Sequence, residues 1–123
     1  MSADEESALL IRLAHADLIS AKILLEKGGP SSIICFHAQQ TVEKCLKSIL
    51  IKKGALIRKI HDLVELTELI QDISLSLPID SDTIALLNPY AVKFRYDDTI
   101  PDTLTSEKAI EIATLIIQWS ESI

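Results

Sequence analysis

Glycine and proline are scarce in this sequence, with three glycines and four prolines among 123 residues. No stretch alternates polar and apolar residues with the period of a β-strand, whereas leucine, isoleucine and alanine are frequent. Only 4% of the residues are aromatic, but 48% are hydrophobic, which suffices for a core without disulfides or metal. We therefore predict an all-α protein, an antiparallel up-and-down bundle of four to five helices in one domain over residues 1–123.

Long apolar runs are also absent. None approaches the roughly 18 residues of a membrane helix. The N-terminus is acidic, with Asp4, Glu5 and Glu6, whereas a signal peptide begins with basic residues. We expect a soluble cytoplasmic protein with no membrane partner.

The two cysteines do not form a disulfide with each other. Cys35 and Cys45 lie on one predicted helix, and their separation corresponds to a rise of about 15 Å. We predict two buried free thiols in a reducing compartment.

Basic residues are outnumbered, and the net charge of −6 argues against a general nucleic-acid binder, including a DNA-binding protein. The charge is nevertheless uneven. Six basic residues and no acid lie between Lys44 and Lys59, whereas twelve acids and three basic residues follow from Ile60 onward. The basic stretch indicates either a site for a specific anionic ligand or a solvated loop.

Turn-forming residues divide the chain into five predicted helical segments. Ser31 or Ser32 is expected to cap the second, Asn88-Pro89 to kink or split the fourth, and Thr105 or Ser106 to cap the last. The segments are residues 4–27, 31–53, 61–73, 80–94 and the stretch from 105 onward.

The second predicted helix has two faces. At about 100° of rotation per residue, its apolar residues gather on one side: Ala38, Val42, Cys45, Leu46 and Ile49. Its polar residues gather on the other: His37, Gln40, Thr41, Glu43, Lys44, Lys47 and Ser48. Ile33 and Phe36 fall on the polar side as well, near Gln40. A large aromatic residue on an outer face indicates that a partner, a ligand or another helix covers it. Ile33, Phe36 and Gln40 are therefore candidate interface residues.

Several charged and polar residues are candidates for binding an anion. Lys44 and Lys47 are three residues apart and form either an anion-binding pair or a surface pair. Arg95 and Tyr96 either bind phosphate or leave the guanidinium to pair with a neighbouring acid. Asp17 interrupts the first apolar stripe and either lies at its wet edge or needs a lysine or histidine partner. That stripe consists of Leu10, Leu13, Ala14, Ala21, Leu24 and Leu25.

Most catalytic signatures are missing. The sequence has no glycine-rich phosphate loop, no Cys-x-x-Cys, no His-Glu-x-x-His and no Gly-x-Ser-x-Gly. His15, His37 and His61 fall on different segments without the spacing of metal ligands. We predict no metal, no cofactor and no catalytic residue.

Four elements of the chain, in order, resemble the HEPN domain family, which is named for nucleotide binding in higher eukaryotes and prokaryotes, in its prokaryotic stand-alone form. The second helix carries the pattern most closely, as Phe36-His37-Ala38-Gln39-Gln40-x-x-Glu43-Lys44-x-Leu46-Lys47. The other matches are Ala14, Asp17, Ala21 and Leu24 in the first helix, then His61-Asp62-Leu63, then Arg95-Tyr96. The resemblance spans nearly the whole chain.

The resemblance implies a compact bundle, often a homodimer, that pairs with a minimal nucleotidyltransferase, in many cases as a toxin–antitoxin module. The family's ribonucleases carry an arginine followed by histidine after four to six residues. Here only two residues separate Arg12 from His15 and Arg58 from His61. The chain departs from the nuclease pattern, so the resemblance supports the fold and the candidate site rather than nuclease activity.

We therefore predict a non-catalytic module that binds a nucleotide-type anion, a nucleotidyltransferase partner, or both. Its predicted site consists of Lys44, Lys47, His61, Arg95 and Tyr96, with Asp17 holding a lysine in place. Two alternatives remain open. One is a metal-independent ribonuclease that acts on RNA through His61 and Arg95. The other is a structural homodimer.

Overall fold

The structure is a computed structural model that describes residues 1–57, 59–91 and 104–123. Arg58 and residues 92–103 lie outside the described residues. The predicted site residues Arg95 and Tyr96 fall in that second range, as does the predicted end of the fourth helix.

The described residues form five α-helices and one short 3₁₀ turn, and they contain no β-strand. The helices are α1 (Ala3–Glu26), α2 (Ser31–Lys52), α3 (Leu63–Asp72), α4 (Ser81–Ala85) and α5 (Ser106–Ser122). The 3₁₀ turn spans Asn88–Tyr90. The predicted all-α helical fold is confirmed. None of the described helices is both long and apolar enough to cross a membrane.

Side-chain caps begin four of the five helices. Ser2, Asp62, Asp80 and Thr105 each accept a hydrogen bond from a backbone N–H in the first turn of the helix that follows. For Asp80, the hydrogen bonds from the Thr83 hydroxyl and backbone N–H lower the pKa of the carboxyl group. Thr105 caps the last helix as predicted.

The expected serine cap of α2 is wrong. Pro30 is the N-cap residue, with φ −61° and ψ 134°, and no side chain caps this helix end. The proline ring fixes φ, so the helix begins directly after it. The Ser31 hydroxyl instead accepts a hydrogen bond from Ser106 Oγ at 3.0 Å, which ties α2 to α5.

The fourth helix is much shorter than the predicted 80–94. It ends at Ala85, and a separate 3₁₀ turn follows at Asn88–Tyr90. Proline stands at the start of that turn. Because Pro89 has no N–H to donate to the carbonyl of Ala85, the Asn88-Pro89 step splits the segment instead of kinking it.

A tight turn makes α1 and α2 an antiparallel hairpin. Gly28 adopts a φ of +75°, which disfavours other residues. A Cβ on Gly29 would lie 2.9 Å from Leu24 Cδ2, so a side chain there would collide with α1. Near the opposite end of the hairpin, the Ser48 hydroxyl donates to the Ser7 carbonyl oxygen at 2.9 Å.

Helix α2 lies at the centre of the bundle, packed against α1, α3 and α5. Its predicted apolar face is confirmed, since Ala38, Val42, Cys45, Leu46 and Ile49 are all buried. Of its predicted polar face, Thr41, Glu43 and Ser48 are buried too, and another helix covers part of that face, which is one of the three covers that the sequence indicated. Thr41 and Ser48 face α1 and hydrogen-bond to backbone carbonyls there.

The buried face of the first helix is shifted from the predicted stripe, of which Ala14 and Ala21 are fully buried. Its buried residues are Ser7, Ala14, Leu18 and Ala21. Leu13, assigned to the core stripe, is 43% exposed. The predicted stripe covered a broad arc of the helix surface. The residues that pack against the rest of the bundle form a narrower line, which runs through Ala14 and Leu18.

Both cysteine thiols should be inert in the folded protein. Cys35 and Cys45 are free and buried, and desolvation raises the pKa of Cys45 to about 12 although a hydrogen bond with Ser120 opposes the shift. Because the thiolate is the reactive form, native protein at about pH 8 should not react with an aromatic disulfide reagent within minutes. Urea-unfolded protein should react with two equivalents of the reagent, one for each cysteine. Rapid reaction of the native protein would contradict the burial of the two thiols.

Candidate functional site

Asp17 on α1 holds two cationic or ionisable side chains of α2. Its Oδ1 lies 2.9 Å from His37 Nδ1, and Lys44 Nζ donates to its Oδ2. The Asp17 side chain is only 14% exposed, so these partners offset the cost of removing a carboxylate from water. The sequence-based expectation that Asp17 needs a lysine or histidine partner is confirmed. We call Asp17, His37 and Lys44 the Asp17 cluster.

Glu43 on α2 organises a second group. Its Oε2 lies 3.0 Å from Lys47 Nζ and 3.1 Å from His61 Nδ1, and its Oε1 accepts a hydrogen bond from Gln39 Nε2 at 3.0 Å. Gln39 Oε1 in turn accepts from Gln40 Nε2 at 2.6 Å. We call Gln39, Glu43, Lys47 and His61 the Glu43 cluster. Both oxygens of the buried carboxylate are therefore occupied.

The ring of His61 has a choice between two partners. Its Nδ1 lies 3.0 Å from Lys47 Nζ and 3.1 Å from Glu43 Oε2. One ring nitrogen either accepts from the ammonium or donates its own N–H to the carboxylate, but it does not do both. If Lys47 turned to another anion, His61 Nδ1–H would take its place on Glu43. The His61 side chain is 67% exposed, so the rest of the ring faces solvent.

A cleft of about 370 Å³ opens beside the Glu43 cluster. It lies between α1, the end of α2 and the loop that follows, and Lys47 is part of its lining. Leu10, Ile51, Leu56 and Ile57 make the lining largely apolar, and Glu6 also contributes. A cleft of this size, with a few polar groups in an apolar wall, is typical of small-molecule sites.

Asn88 fixes the segment that carries His61. Its Oδ1 accepts a hydrogen bond from the Leu63 backbone N–H at 3.0 Å, and its Nδ2 donates to Asp62 Oδ1 at 2.7 Å. The side chain thus joins the start of α3 to the 3₁₀ turn. From the sequence, Asn88 was interpreted only as part of a helix-breaking step.

The four predicted ligand residues that the structure describes fall into two separate groups. Asp17 and Lys44 are together, and so are Lys47 and His61. The two lysines do not form a bare cationic pair, because each is bound to its own carboxylate. The site roles of His37, Gln39 and Glu43 were not predicted from the sequence. The spacing of Glu43 from Gln39 and from Lys47, four residues in each direction, was the signal available for it.

The predicted interface residues lie on the outer side of α2. Ile33, Phe36 and Gln40 are all half-buried. The Phe36 ring meets the His37 ring edge-on, with 5.3 Å between the ring centroids. Their role as an interface stays a prediction.

The third histidine is remote from both clusters in its contacts. His15 Nε2 lies 3.0 Å from Glu121 Oε1, and both side chains are nearly half exposed. Within residues 1–57, 59–91 and 104–123, no group of three His, Cys, Asp or Glu side chains is placed to hold a metal ion.

Comparisons with known proteins agree on a family and a fold. The HEPN domain family model matches residues 7–123. The crystal structure of TT1696 from Thermus thermophilus is similar, with a TM-score of 0.73, 23% identity, and coverage of 94% of this chain and 96% of that one. The crystal structure of ST0689, an archaeal HEPN homologue, gives a TM-score of 0.65, 23% identity, and coverage of 94% and 95%. No curated protein matches the sequence.

Proposed function

Because this chain belongs to the HEPN domain family, we propose that it is a non-catalytic module that binds a nucleotide-type anion at the Glu43 cluster. The observation that carries the proposal is the position of Lys47. Its ammonium group belongs to the Glu43 cluster, and its side chain also lines the apolar cleft. A ligand with a flat apolar ring and a phosphate group fits that combination.

Binding uses the two partners available to His61. The phosphate takes hydrogen bonds from the Lys47 ammonium, which is the charge-assisted type with the larger energy. His61 Nδ1–H then donates to Glu43 Oε2, 3.1 Å away, so the buried carboxylate keeps a donor. Lys52, Lys53 and Lys59 are exposed around the end of α2 and the following loop, and they raise the local concentration of anions.

The base or another planar ring occupies the apolar part of the cleft. Leu10 and Ile51 form the wall contributed by α1 and α2, and Ile57 belongs to the loop. Burial of a ring against these side chains supplies affinity but does not distinguish one base from another. Arg95 and Tyr96, which lie outside the described residues, stay predicted contributors to phosphate binding.

Replacing Lys47 by methionine tests the site. We expect ATP or GTP to bind the wild-type protein with a dissociation constant on the order of micromolar, and the variant to bind about tenfold more weakly or worse. Methionine keeps most of the apolar stem and removes the charge. Isothermal titration measures both constants, and Lys108→Met on α5, where the side chain is 48% exposed, is the matched control.

Two results would contradict the nucleotide site. One is the absence of heat from either nucleotide in the wild-type protein, and the other is equal affinity of the wild-type and Lys47→Met proteins.

Cleavage of RNA by the wild-type protein, lost in His61→Ala, would favour the ribonuclease alternative. That alternative has one observation in its favour, the exposed His61 ring held at Nδ1 by Glu43, because a carboxylate in that position orients a histidine for proton transfer.

We also propose a minimal nucleotidyltransferase as the protein partner of this module. Leu56 supports a protein contact next to the cleft, because the side chain is 93% exposed. Leu56→Asp should abolish co-purification of such an enzyme, and it should also weaken nucleotide binding because Leu56 lines the cleft. Equal recovery of the enzyme with both proteins would contradict this contact. A homodimer and a role in a toxin–antitoxin pair stay predictions.

A further inference from the structure

We propose that a groove between α1 and α5 binds a short apolar peptide with a free amino end and a free carboxyl end. The groove has a volume of about 540 Å³, which is in the range of sites that enclose a small ligand. It is bounded by the first half of α1 and by the C-terminal ends of α2 and α5. It shares no lining residue with the cleft beside the Glu43 cluster, so the proposal does not depend on the nucleotide site. We call it the α1–α5 groove, and its principal lining residues are Asp4, Ile11, Arg12, Ile49, Lys52 and Glu121.

One face of α1 forms a long wall of the α1–α5 groove. Positions 4, 7, 8, 11 and 12 all line it, and steps of three and four residues keep side chains on the same side of a helix. From Asp4 to Arg12 the wall extends over about 12 Å of helix axis, at about 1.5 Å for each residue. The groove is therefore elongated, with Asp4 toward one end and Arg12 toward the other.

The floor of the groove is suited to apolar side chains. It contains four apolar residues: Ala8, Ile11, Ile49 and Ile123. The serine hydroxyl groups of the lining already donate inside the protein, because Ser7 Oγ donates to the Ser48 carbonyl oxygen at 3.0 Å and Ser120 Oγ donates to the Ile117 carbonyl oxygen at 2.8 Å. An apolar side chain of the ligand that covers this floor therefore leaves these hydroxyl groups with a partner.

The charged side chains of the lining are of both signs, two bases and two acids: Arg12, Lys52, Asp4 and Glu121. Two of them have other interactions. Glu121 Oε1 lies 3.0 Å from His15 Nε2, and Lys52 lies in the last turn of α2, where a cation interacts favourably with the helix dipole. Arg12 and Asp4 form no side-chain ion pair within residues 1–57, 59–91 and 104–123. They are available to bind two opposite charges of one ligand.

The separation of Asp4 and Arg12 determines the length of the ligand. A guanidinium group binds a carboxylate through two parallel N–H donors, and a carboxylate such as Asp4 accepts hydrogen bonds from an ammonium group. An extended chain advances about 3.3–3.6 Å for each residue, so the roughly 12 Å between the two groups corresponds to about three or four residues. A single amino acid is too short to reach both.

The two remaining charges restrict the ligand further. Lys52 lies toward the Asp4 end, because α2 runs antiparallel to α1 and its Ser48 contacts Ser7, whereas Glu121 lies toward the Arg12 end. Each end of the groove therefore contains one acid and one base. A nucleotide or another polyanion would be repelled by the acid at either end, so the groove favours a ligand without net charge.

Isothermal titration of the full chain with the tetrapeptide Ala-Leu-Leu-Ala tests the groove. The peptide with both ends free should bind most tightly, and acetylation of its amino end or amidation of its carboxyl end should each weaken binding at least about fivefold. Arg12→Gln should weaken binding of the free peptide and remove the effect of amidation. Asp4→Asn should remove the effect of acetylation, since each variant and the matching cap delete the same contact.

Neighbouring residues provide matched controls. Glu5 follows Asp4 and Lys53 follows Lys52, and both side chains are exposed but do not line the groove. Glu5→Gln and Lys53→Gln should therefore leave the affinity for the free peptide and the effects of both caps unchanged. Circular dichroism of each variant verifies that the helices persist.

Three results would overturn the proposal. The first is the absence of binding by the free peptide, and the second is equal affinity for the free and the capped peptides. The third is a full effect of amidation in Arg12→Gln or of acetylation in Asp4→Asn, because the ends of the peptide would then be bound elsewhere. Loss of the amidation effect in Lys52→Gln alone would likewise contradict the assignment of the carboxylate to Arg12.

Discussion

Replacing Glu43 by alanine should lower the free energy of unfolding by about 3–5 kcal/mol. Glu43 is 7% exposed, and its carboxylate neutralises Lys47, whose side chain is only 13% exposed. Its removal leaves a nearly buried ammonium without a counter-charge and takes the acceptor from the buried Gln39 amide. Urea denaturation followed by circular dichroism measures the loss.

The controls for this substitution separate charge from shape. Glu43→Gln keeps the volume and an acceptor oxygen, so it should cost less than the alanine variant. Glu68→Ala on α3, where the side chain is exposed, should change stability by no more than about 0.5 kcal/mol. Adding Lys47→Met to Glu43→Ala should recover part of the loss, because the unpaired charge is then gone. An effect of Glu43→Ala as small as that of Glu68→Ala would contradict the buried network.

Replacing Leu46 by alanine should lower the free energy of unfolding by about 2–5 kcal/mol. Leu46 is fully buried on α2, the helix that contacts α1, α3 and α5. The lost methyl groups leave a cavity that three surrounding helices cannot close without moving relative to each other. The measurement is the midpoint of urea denaturation at an unchanged slope.

Leu115 provides the matched control for the core substitution. It is also a leucine in the middle of a helix, but it is 37% exposed. Leu115→Ala should therefore cost less than Leu46→Ala, about 1 kcal/mol, since a partly exposed side chain gives up less buried area. If the two variants were equally stable, α2 would not be the centre of the core.

Local chemistry predicted most of the helices. Gly28 and Gly54 end α1 and α2 with positive φ values, and Thr105 caps α5. These signals depend only on residues within a turn of the helix end, so the helix ends can be predicted without knowledge of the fold. The length of α4 was not predictable in the same way. Its apolar spacing continues past Pro89, and the backbone cost at that residue decides where the helix stops.

The polar side of α2 was harder to predict because burial depends on neighbours distant in sequence. Thr41 and Ser48 look like surface residues of an amphipathic helix, but both satisfy their hydroxyl groups against α1 backbone carbonyls. Small hydroxyl residues are therefore compatible with either side of a helix. The pattern alone did not distinguish a solvated face from a contact with another helix.

The sequence indicated Asp17, Lys44, Lys47 and His61 as candidate ligand residues but not Glu43, the carboxylate that Lys47 and His61 share. Lys44 and Lys47 are three positions apart in sequence, yet they bind carboxylates on different helices. Which carboxylate each lysine meets depends on the rotation of α1 and on where the chain before α3 places His61. Asn88 helps to position the start of α3 by accepting a hydrogen bond from Leu63, 25 residues earlier in the chain. No short-range sequence pattern indicates this contact.

The short turn between α1 and α2 also bears on the order in which the protein folds. This hairpin closes over only a few residues, whereas the Ser31–Ser106 contact that secures α5 joins positions 75 apart. Closing the longer loop costs more chain entropy, so the α1–α2 hairpin is the part of the bundle that can form first. Refolding should then slow when the Ser7–Ser48 contact is removed, while loss of the Ser31–Ser106 contact should mainly accelerate unfolding. The turn that orients α2, the helix that carries Glu43 and Lys47, thus also favours early folding of the α1–α2 hairpin.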